Sequence, residues 1–397
     1  MKNILIFGAG INQITLIKAC NDLGFNSIVI DPSDNPPGKQ FAKHYFKVAP
    51  DDYELTKEVA IKMNIDGIVT GQMENPLKIM SKLANEMGYI FNSPEIIQRS
   101  TNKYLMKQAF LQNNVACANG LYFSSKEELN ESKLNDFSYP LILKPVDSHS
   151  SRGVYRVLSY NEILNYLDET ISFSREGAFL IEEFIDGPEF SVESVTYNGK
   201  TEVIQITEKI ITPFPNVVEL GHIQPAELTD KQKEQIKVEV IKAINALGIN
   251  NTVSHTELKI TEKGPIIIEI GARLGGDFIS SFLTKSSCGV DLDKASVQVC
   301  LGIEPNLNHS VSKYVYVKYF TLPPKSIVDD IIENKLINDY SDLIFSYIFV
   351  KKGDTIKSVS HSALRSGVVI VSAESKSEVI EKAKRYSELI IETIKLK

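Results

Sequence analysis

The sequence predicts a mixed α/β and α+β fold with a Rossmann-like parallel-sheet unit at its N-terminus. Three observations carry this. Residues 2–70 alternate short apolar strands with helices. Residues 139–270 run strand after strand through glycine-bearing turns, and the tail from about 313 is strand-rich and closes on a helix. At roughly 100–200 residues per domain, 397 residues make two to four domains. Hydrophobic residues at 43% and charged residues at 23% give an ordinary globular balance.

In the N-terminal unit, residues 2–7 read as a strand and Gly8-Ala9-Gly10 as a tight turn. Residues 13–23 have helical periodicity, and Gly24 ends it. A second strand at 27–30 closes on Asp31-Pro32, and a helix at 54–63 leads into the strand Gly67-Ile68-Val69-Thr70. Strands spaced by helices of this length imply parallel pairing with right-handed crossovers. Phe91-Asn92-Ser93-Pro94 marks a boundary, and residues 95–113 read as two helices. Strands are expected at 139–144, 154–158, 178–184 and 190–197, with Asn198-Gly199 as a hairpin turn. An amphipathic helix at 231–247 precedes a hairpin of residues 255–261 and 265–270, turning at Glu262-Lys263-Gly264. The final helix is expected over 376–395. The units are therefore 1–92, 93–310 with a central lid at about 115–190, and 311–397.

Composition narrows the function classes. Forty-three basic and 50 acidic residues leave a net charge of −7 with no basic block, which argues against nucleic acid. No apolar run approaches the ~20 residues of a membrane span, and the N-terminal run is too short for a signal peptide. Cys20, Cys117, Cys288 and Cys300 have no CxxC spacing, so they read as buried small hydrophobes in a reducing cytoplasm.

Four segments carry chemistry. Gly8-Ala9-Gly10 with Asp31 resembles a dinucleotide turn, but Gln13 replaces its third glycine. The alternative is a tight strand-to-helix turn without a ligand. Next, an apolar strand ends in Lys144-Pro145, and the loop Asp147-Ser148-His149-Ser150-Ser151-Arg152-Gly153 follows. Its amides and hydroxyls suit phosphate oxygens, and Lys144 adds a point charge. In the third, Glu182-Glu183-Phe184-Ile185 precedes a turn and then Glu189. An adenine needs a backbone donor and acceptor in an apolar slot, and a ribose needs a carboxylate. Finally, Glu257 and Glu269 sit among apolar residues in two candidate adjacent strands. Facing carboxylates repel unless a cation lies between them, and Mg²⁺ commonly joins carboxylates to phosphates. Alternation puts Arg273 on the face of Glu269 and Gly271, where it would neutralise a transferring phosphoryl group. Gly275-Gly276-Asp277 lets the backbone turn closely around a ligand.

In this order the segments resemble the ATP-grasp superfamily over nearly the whole chain. The resemblance implies an ATP-grasp fold with a pre-ATP-grasp N-terminal domain and a C-terminal lobe similar to that of biotin carboxylase. It implies nucleotide contacts at Lys103, Lys144, Ser148, Ser150, Ser151, Gly153, Glu182, Glu183, Phe184, Ile185 and Glu189. It makes Glu257 and Glu269 the metal pair, with Lys144 and Arg273 catalytic. Many members carry Asn two residues after the second glutamate, where this chain has Gly271. The same loss occurs in a branch resembling the L-amino acid ligases. By that resemblance Glu219 and His222, in a loop over the site, hold an amino-acid substrate together with Arg273, Gly275 and Gly276. The implied activity is carboxylate–amine ligation through an acyl-phosphate, with ATP and Mg²⁺ (or Mn²⁺) as cofactors and small-molecule acid and amine as partners. A homodimer is also implied, since related lobes often dimerise. A bicarbonate-activating carboxylase, an NAD-linked oxidoreductase and a non-catalytic nucleotide-binding protein stand as alternatives.

Overall fold

A computed structural model describes residues 1–148, 151–214, 217–332 and 340–397. Ser150 and its neighbour His149 lie outside the described residues. The first unit contains β1 (Asn3–Phe7), α1 (Ile14–Asp22), β2 (Asn26–Asp31), β3 (His44–Lys47), α2 (Tyr53–Lys62), β4 (Gly67–Thr70) and α3 (Leu77–Met87). Its strands are parallel in the order β3-β2-β1-β4. The pleat sends alternate β1 residues to opposite faces. Leu5 and Phe7 join a core with Leu77 and Met80 of α3, and Ile4 and Ile6 join another with Leu16 and Ile17 of α1. This is the parallel sheet the alternation predicts.

Two helices follow, α4 (Pro94–Thr101) and α5 (Lys103–Gln112). Asn102 separates them, and its side chain accepts from the backbone N–H groups of Tyr104 and Leu105. The cap makes Lys103 the first residue of α5. A four-stranded antiparallel sheet contains β5 (Gly120–Phe123), β6 (Leu141–Pro145), β7 (Tyr155–Val157) and β8 (Phe179–Glu183), in the order β5-β8-β6-β7. Helix α6 (Tyr160–Ser172) packs Ile163 and Leu167 against Leu141, Val157 and Phe179.

An eight-stranded sheet follows, laid down by β9 (Glu189–Tyr197), β10 (Lys200–Ile211), β11 (Glu219–Gln224), β12 (Thr252–Thr261) and β13 (Gly264–Gly271). Helix α7 (Asp230–Leu247) and the short helices α8 (Thr284–Cys288) and α9 (Leu292–Val299) complete this part. The tail adds β14 (Tyr314–Phe320), β15 (Val328–Ile331), β16 (Leu343–Ile348), β17 (Gly367–Ala373), α10 (Lys376–Ile391) and β18 (Ile394–Leu396). The sheet order is β13-β12-β9-β10-β11-β14-β17-β16, so three tail strands extend the same sheet through the β11–β14 pair. The predicted hairpin at Asn198-Gly199 forms with both residues at positive φ, +50° and +76°. The hairpin of β12 and β13 closes at Thr261 and Gly264.

Two local expectations change. Glu219 and His222 lie on a strand, β11, rather than in a loop, because β10 and β14 flank it and take its backbone hydrogen bonds. The final helix stops at Ile391, and Ile394–Leu396 beyond it pair with β15 as β18.

Candidate active site

One face of the large sheet floors a cleft of about 860 Å³. Cross-strand register decides which side chains meet there. Glu257 of β12 lies directly opposite Glu269 of β13 on one side and Ser191 of β9 on the other. On β10, Lys209 lies opposite His222 of β11. The pairing slips at Ile210 and Ile211, which leaves Leu220 as an extra residue. That bulge brings Glu219 and His222, three apart in sequence, to the same face. Loops containing Ile11, Asn12, Gln13, Gln72 and Glu74 form one wall, and residues 361–365 of the tail form another.

The floor is a lattice of opposite charges. Lys209 is almost fully buried, with Nζ 2.5 Å from Glu189 Oε1, 3.2 Å from Glu257 Oε2 and 3.7 Å from Glu219 Oε1. Burial alone would lower its pKa, but the three carboxylates raise it well above the usual lysine value. Burial likewise pushes Glu257 up, yet Lys209 and His255 hold its carboxyl well below the ordinary range. Lys103 Nζ pairs with Glu269 Oε2 at 3.0 Å and donates to the Ser148 carbonyl at 2.7 Å, tying α5 to the start of the Asp147–Gly153 loop. Arg273 Nη2 lies 3.9 Å from Glu74 Oε2, and burial raises the Glu74 pKa. A Cβ at Gly271 would lie 3.3 Å from Arg273 Cγ and Cζ, so a residue without a side chain leaves room for Arg273 to fold back over the strand end.

Beyond Arg273 the backbone turns sharply. The positive φ angles fall on Asp277 (+52°) and Phe278 (+63°), not on the glycines before them. Left-handed non-glycine residues cost about 1–3 kcal/mol each and persist only where the surroundings impose them. Here Arg365 binds both oxygens of Asp277 at 2.8 Å, and His222 Nε2 lies 3.1 Å from Oδ2. The Arg365 guanidinium stacks 3.5 Å from the Tyr319 ring centroid. These contacts hold Asp277 well below the usual carboxylate range although burial acts the other way. Ser362 Oγ donates to Glu219 Oε2 at 2.9 Å, so the tail fastens the cleft twice.

The end at the four-stranded sheet is held by Glu182. It is buried between Lys144 Nζ at 2.6 Å and Lys107 Nζ at 3.0 Å. Glu183 accepts from Asn119 Nδ2 at 3.1 Å. Phe184 stands edge-on to Phe214, with Arg156 at 4.8 Å and Lys259 at 5.1 Å from its ring. Ile185 follows where β8 has ended. Among the described residues Ser148 Oγ is buried without a hydrogen-bond partner, and Ser151 and Gly153 stand at positive φ.

The comparisons with known proteins bear on the fold. The ATP-grasp domain family model matches residues 137–281. Residues 137–281 are an ATP-grasp domain. The alanine–anticapsin ligase of Bacillus amyloliquefaciens is 27% identical over 354 residues, covering 80% of this chain and 71% of that protein. Dapdiamide A synthase of Enterobacter agglomerans is 30% identical over 195 residues, 47% of this chain and 45% of that protein. The chain thus spans about half the length of several curated relatives it matches. Among solved structures, the L-amino acid ligase from Bacillus licheniformis superposes with a TM-score of 0.83 at 22% identity, covering 100% of this chain and 98% of that one. That likeness establishes the ATP-grasp fold.

Within the ATP-grasp fold, Lys103, Glu189, Glu219, Glu257, Glu269 and Arg273 converge on one cleft system. Several expected contacts are occupied in the chain itself. The Glu182 carboxylate is committed to two lysines, and Glu189 to Lys209. His222 is 2% exposed and acts on the cleft by holding Asp277. Gly276 lines the cleft, whereas a Cβ on Gly275 would meet Glu193 and His255 rather than a ligand. The N-terminal glycine turn is filled from within. Cβ atoms at Gly8 and Gly10 would strike Met73 Sδ at 2.5 Å and Gln13 Oε1 at 2.8 Å, and Asp31 Oδ2 accepts from the Ala9 amide at 2.8 Å. Packing within the chain is thus enough to require glycine at both positions.

Sequence reasoning missed Glu74, Lys107, Glu193, Lys209, His255 and Arg365 as site residues. Lys107 was recoverable, because it stands four residues after Lys103 on one helix face. Lys209 was recoverable from Gln205, Thr207 and Lys209 alternating with Ile206, Glu208 and Ile210. Arg365 has no local signal; only the fold brings it to Asp277.

Proposed function

We propose that this chain is an ATP- and Mg²⁺-dependent ligase that joins a carboxylate substrate, an amino acid, to an amine and releases ADP and phosphate. The observation that carries the reading is the direct opposition of Glu257 and Glu269 on the floor of a cleft ringed by Lys103, Lys209, Arg273 and Arg365. The donors suit magnesium. Two partly exposed carboxylates face each other, and a metal between them would keep positions for water and phosphate. The named activities of the anticapsin ligase and dapdiamide A synthase point the same way.

In the first step the substrate carboxylate attacks the γ-phosphorus of ATP, and the bond to the β,γ-bridging oxygen breaks. ADP and an acyl-phosphate result. The amine nitrogen then attacks the acyl carbon, phosphate leaves, and the nitrogen loses a proton to give the amide. Oxide is a hopeless leaving group, and phosphate is a good one. A metal held by Glu257 and Glu269 would supply charge neutralisation at the phosphates. Lys144 and Lys103 serve the polyphosphate, with Ser148, Ser151 and Gly153 around it. Backbone groups at Phe184 and Ile185 serve the purine, and Glu189 the ribose. Arg273 stabilises charge on the moving phosphoryl group. Glu219 and Glu74 offer anionic contacts to an ammonium, and Arg365 a cationic contact to a carboxylate. Exclusion of water, which would hydrolyse the acyl-phosphate, falls in this reading to the side of the cleft where Ser151 and Arg152 stand.

The test is a matrix of amino acids as acid and amine, with ATP and Mg²⁺, read by phosphate release and product mass. Phosphate release that needs both members of a pair is expected. Release driven by bicarbonate alone, or by no pair, overturns the reading.

A further inference from the structure

We propose that Glu193 and His255 form a positioning pair behind Glu257 that sets how tightly a metal–nucleotide complex binds. This rests on reading Glu257 as a metal ligand. Glu193 of β9 and His255 of β12 are direct cross-strand neighbours, one pleat step from Ser191 and Glu257 on the same sheet face. His255 Nδ1 meets Glu193 Oε1 at 2.5 Å, and its Nε2 faces Glu257 Oε1 at 3.5 Å. Lys209 holds the other oxygen of Glu257, Oε2, at 3.2 Å. The metal carboxylate is therefore gripped at both oxygens from within the protein.

Glu193 has no solvent exposure, and its Oε2 has no hydrogen-bond partner among the described residues. Burying a carboxylate without full compensation is costly. No nucleotide, acid or amine reaches it, so its effect on the cleft passes through the imidazole. The loop that supplies Arg273 and Asp277 is seated on the same pair. A Cβ on Gly275 would lie 2.6 and 2.8 Å from the two Glu193 oxygens and 2.8 Å from His255 Nδ1. One buried pair thus sets the orientation of a metal carboxylate and the height of the loop opposite it. Outer partners of metal ligands typically change metal affinity by about 10–100-fold when removed.

The test reads binding, not turnover: ADP affinity by calorimetry, with and without Mn²⁺. In Glu193→Gln the Mn²⁺-dependent gain in ADP affinity is expected to fall about tenfold. Metal-free ADP affinity is expected to stay as in wild type. Two substitutions at His255 separate its nitrogens. In His255→Gln the amide nitrogen takes the place of Nε2 and still faces Glu257, but the link from Nδ1 to Glu193 is cut, so the gain falls as far as in Glu193→Gln. In His255→Asn the amide nitrogen takes the place of Nδ1, and the gain is lost. Glu193→Gln is isosteric and the two His255 changes keep a polar side chain, and thermal melts identify any that unfold, leaving the others to decide. Equal gains in every variant overturn the pair alone. Equal losses with and without Mn²⁺ show a merely structural role and also overturn it. A wild-type protein indifferent to Mn²⁺ overturns the metal reading and the pair with it.

Discussion

Lys209→Met is expected to destabilise the fold by about 3–5 kcal/mol at pH 7, because it leaves three carboxylates facing one another without their shared cation. Lys209 is buried, and Glu189, Glu219 and Glu257 all converge on its ammonium. The loss has a pH signature. Glu257 has a depressed carboxyl pKa in the fold. It therefore contributes stability above the ordinary carboxylate range that is lost as pH falls through the folded value. The variant lacks much of that contribution, so the gap between wild type and variant narrows as pH falls below about 4. Urea titrations of both proteins at pH 7 and pH 3 measure it. Equal stability at pH 7 would show that the four charges are solvated and independent.

Glu269→Ala is expected to slow ADP formation by about 100-fold or more, because the proposed metal site would keep only Glu257. The change also frees Lys103 from its 3.0 Å ion pair. Glu269→Gln separates the two effects, since it keeps the shape and an oxygen for Lys103 but removes the charge. A metal role predicts that the Gln variant is nearly as impaired as the Ala variant and that raising Mn²⁺ restores part of the rate. If Gln restores full activity, Glu269 positions Lys103 and does not bind metal.

The parallel N-terminal sheet and the β12–β13 hairpin were legible because hydrophobic period and turn residues encode them locally. Glu257 and Glu269 were legible for the same reason: an acid in an apolar strand stands out, and a hairpin brings two of them together. Arg365 was not. It lies 88 positions from Asp277 and is brought there by β17 joining the large sheet. The face on which Glu219 and His222 meet was also hidden, since it depends on one extra residue at Leu220. Alternation alone puts them on opposite faces. A GxG turn that resembles a dinucleotide site is filled by Gln13 and Met73, and the second of these lies 65 positions beyond Gly8.

The most direct measurement follows oxygen. A substrate pair that supports phosphate release is supplied with its carboxylate labelled with ¹⁸O, and the released phosphate is analysed by mass. Attack by the carboxylate on the γ-phosphorus leaves one carboxylate oxygen in the phosphate when the amine displaces it. One ¹⁸O in each phosphate is the predicted result. Unlabelled phosphate, formed while the amide accumulates, would contradict the acyl-phosphate route and the reading of this cleft as a carboxylate–amine ligase site.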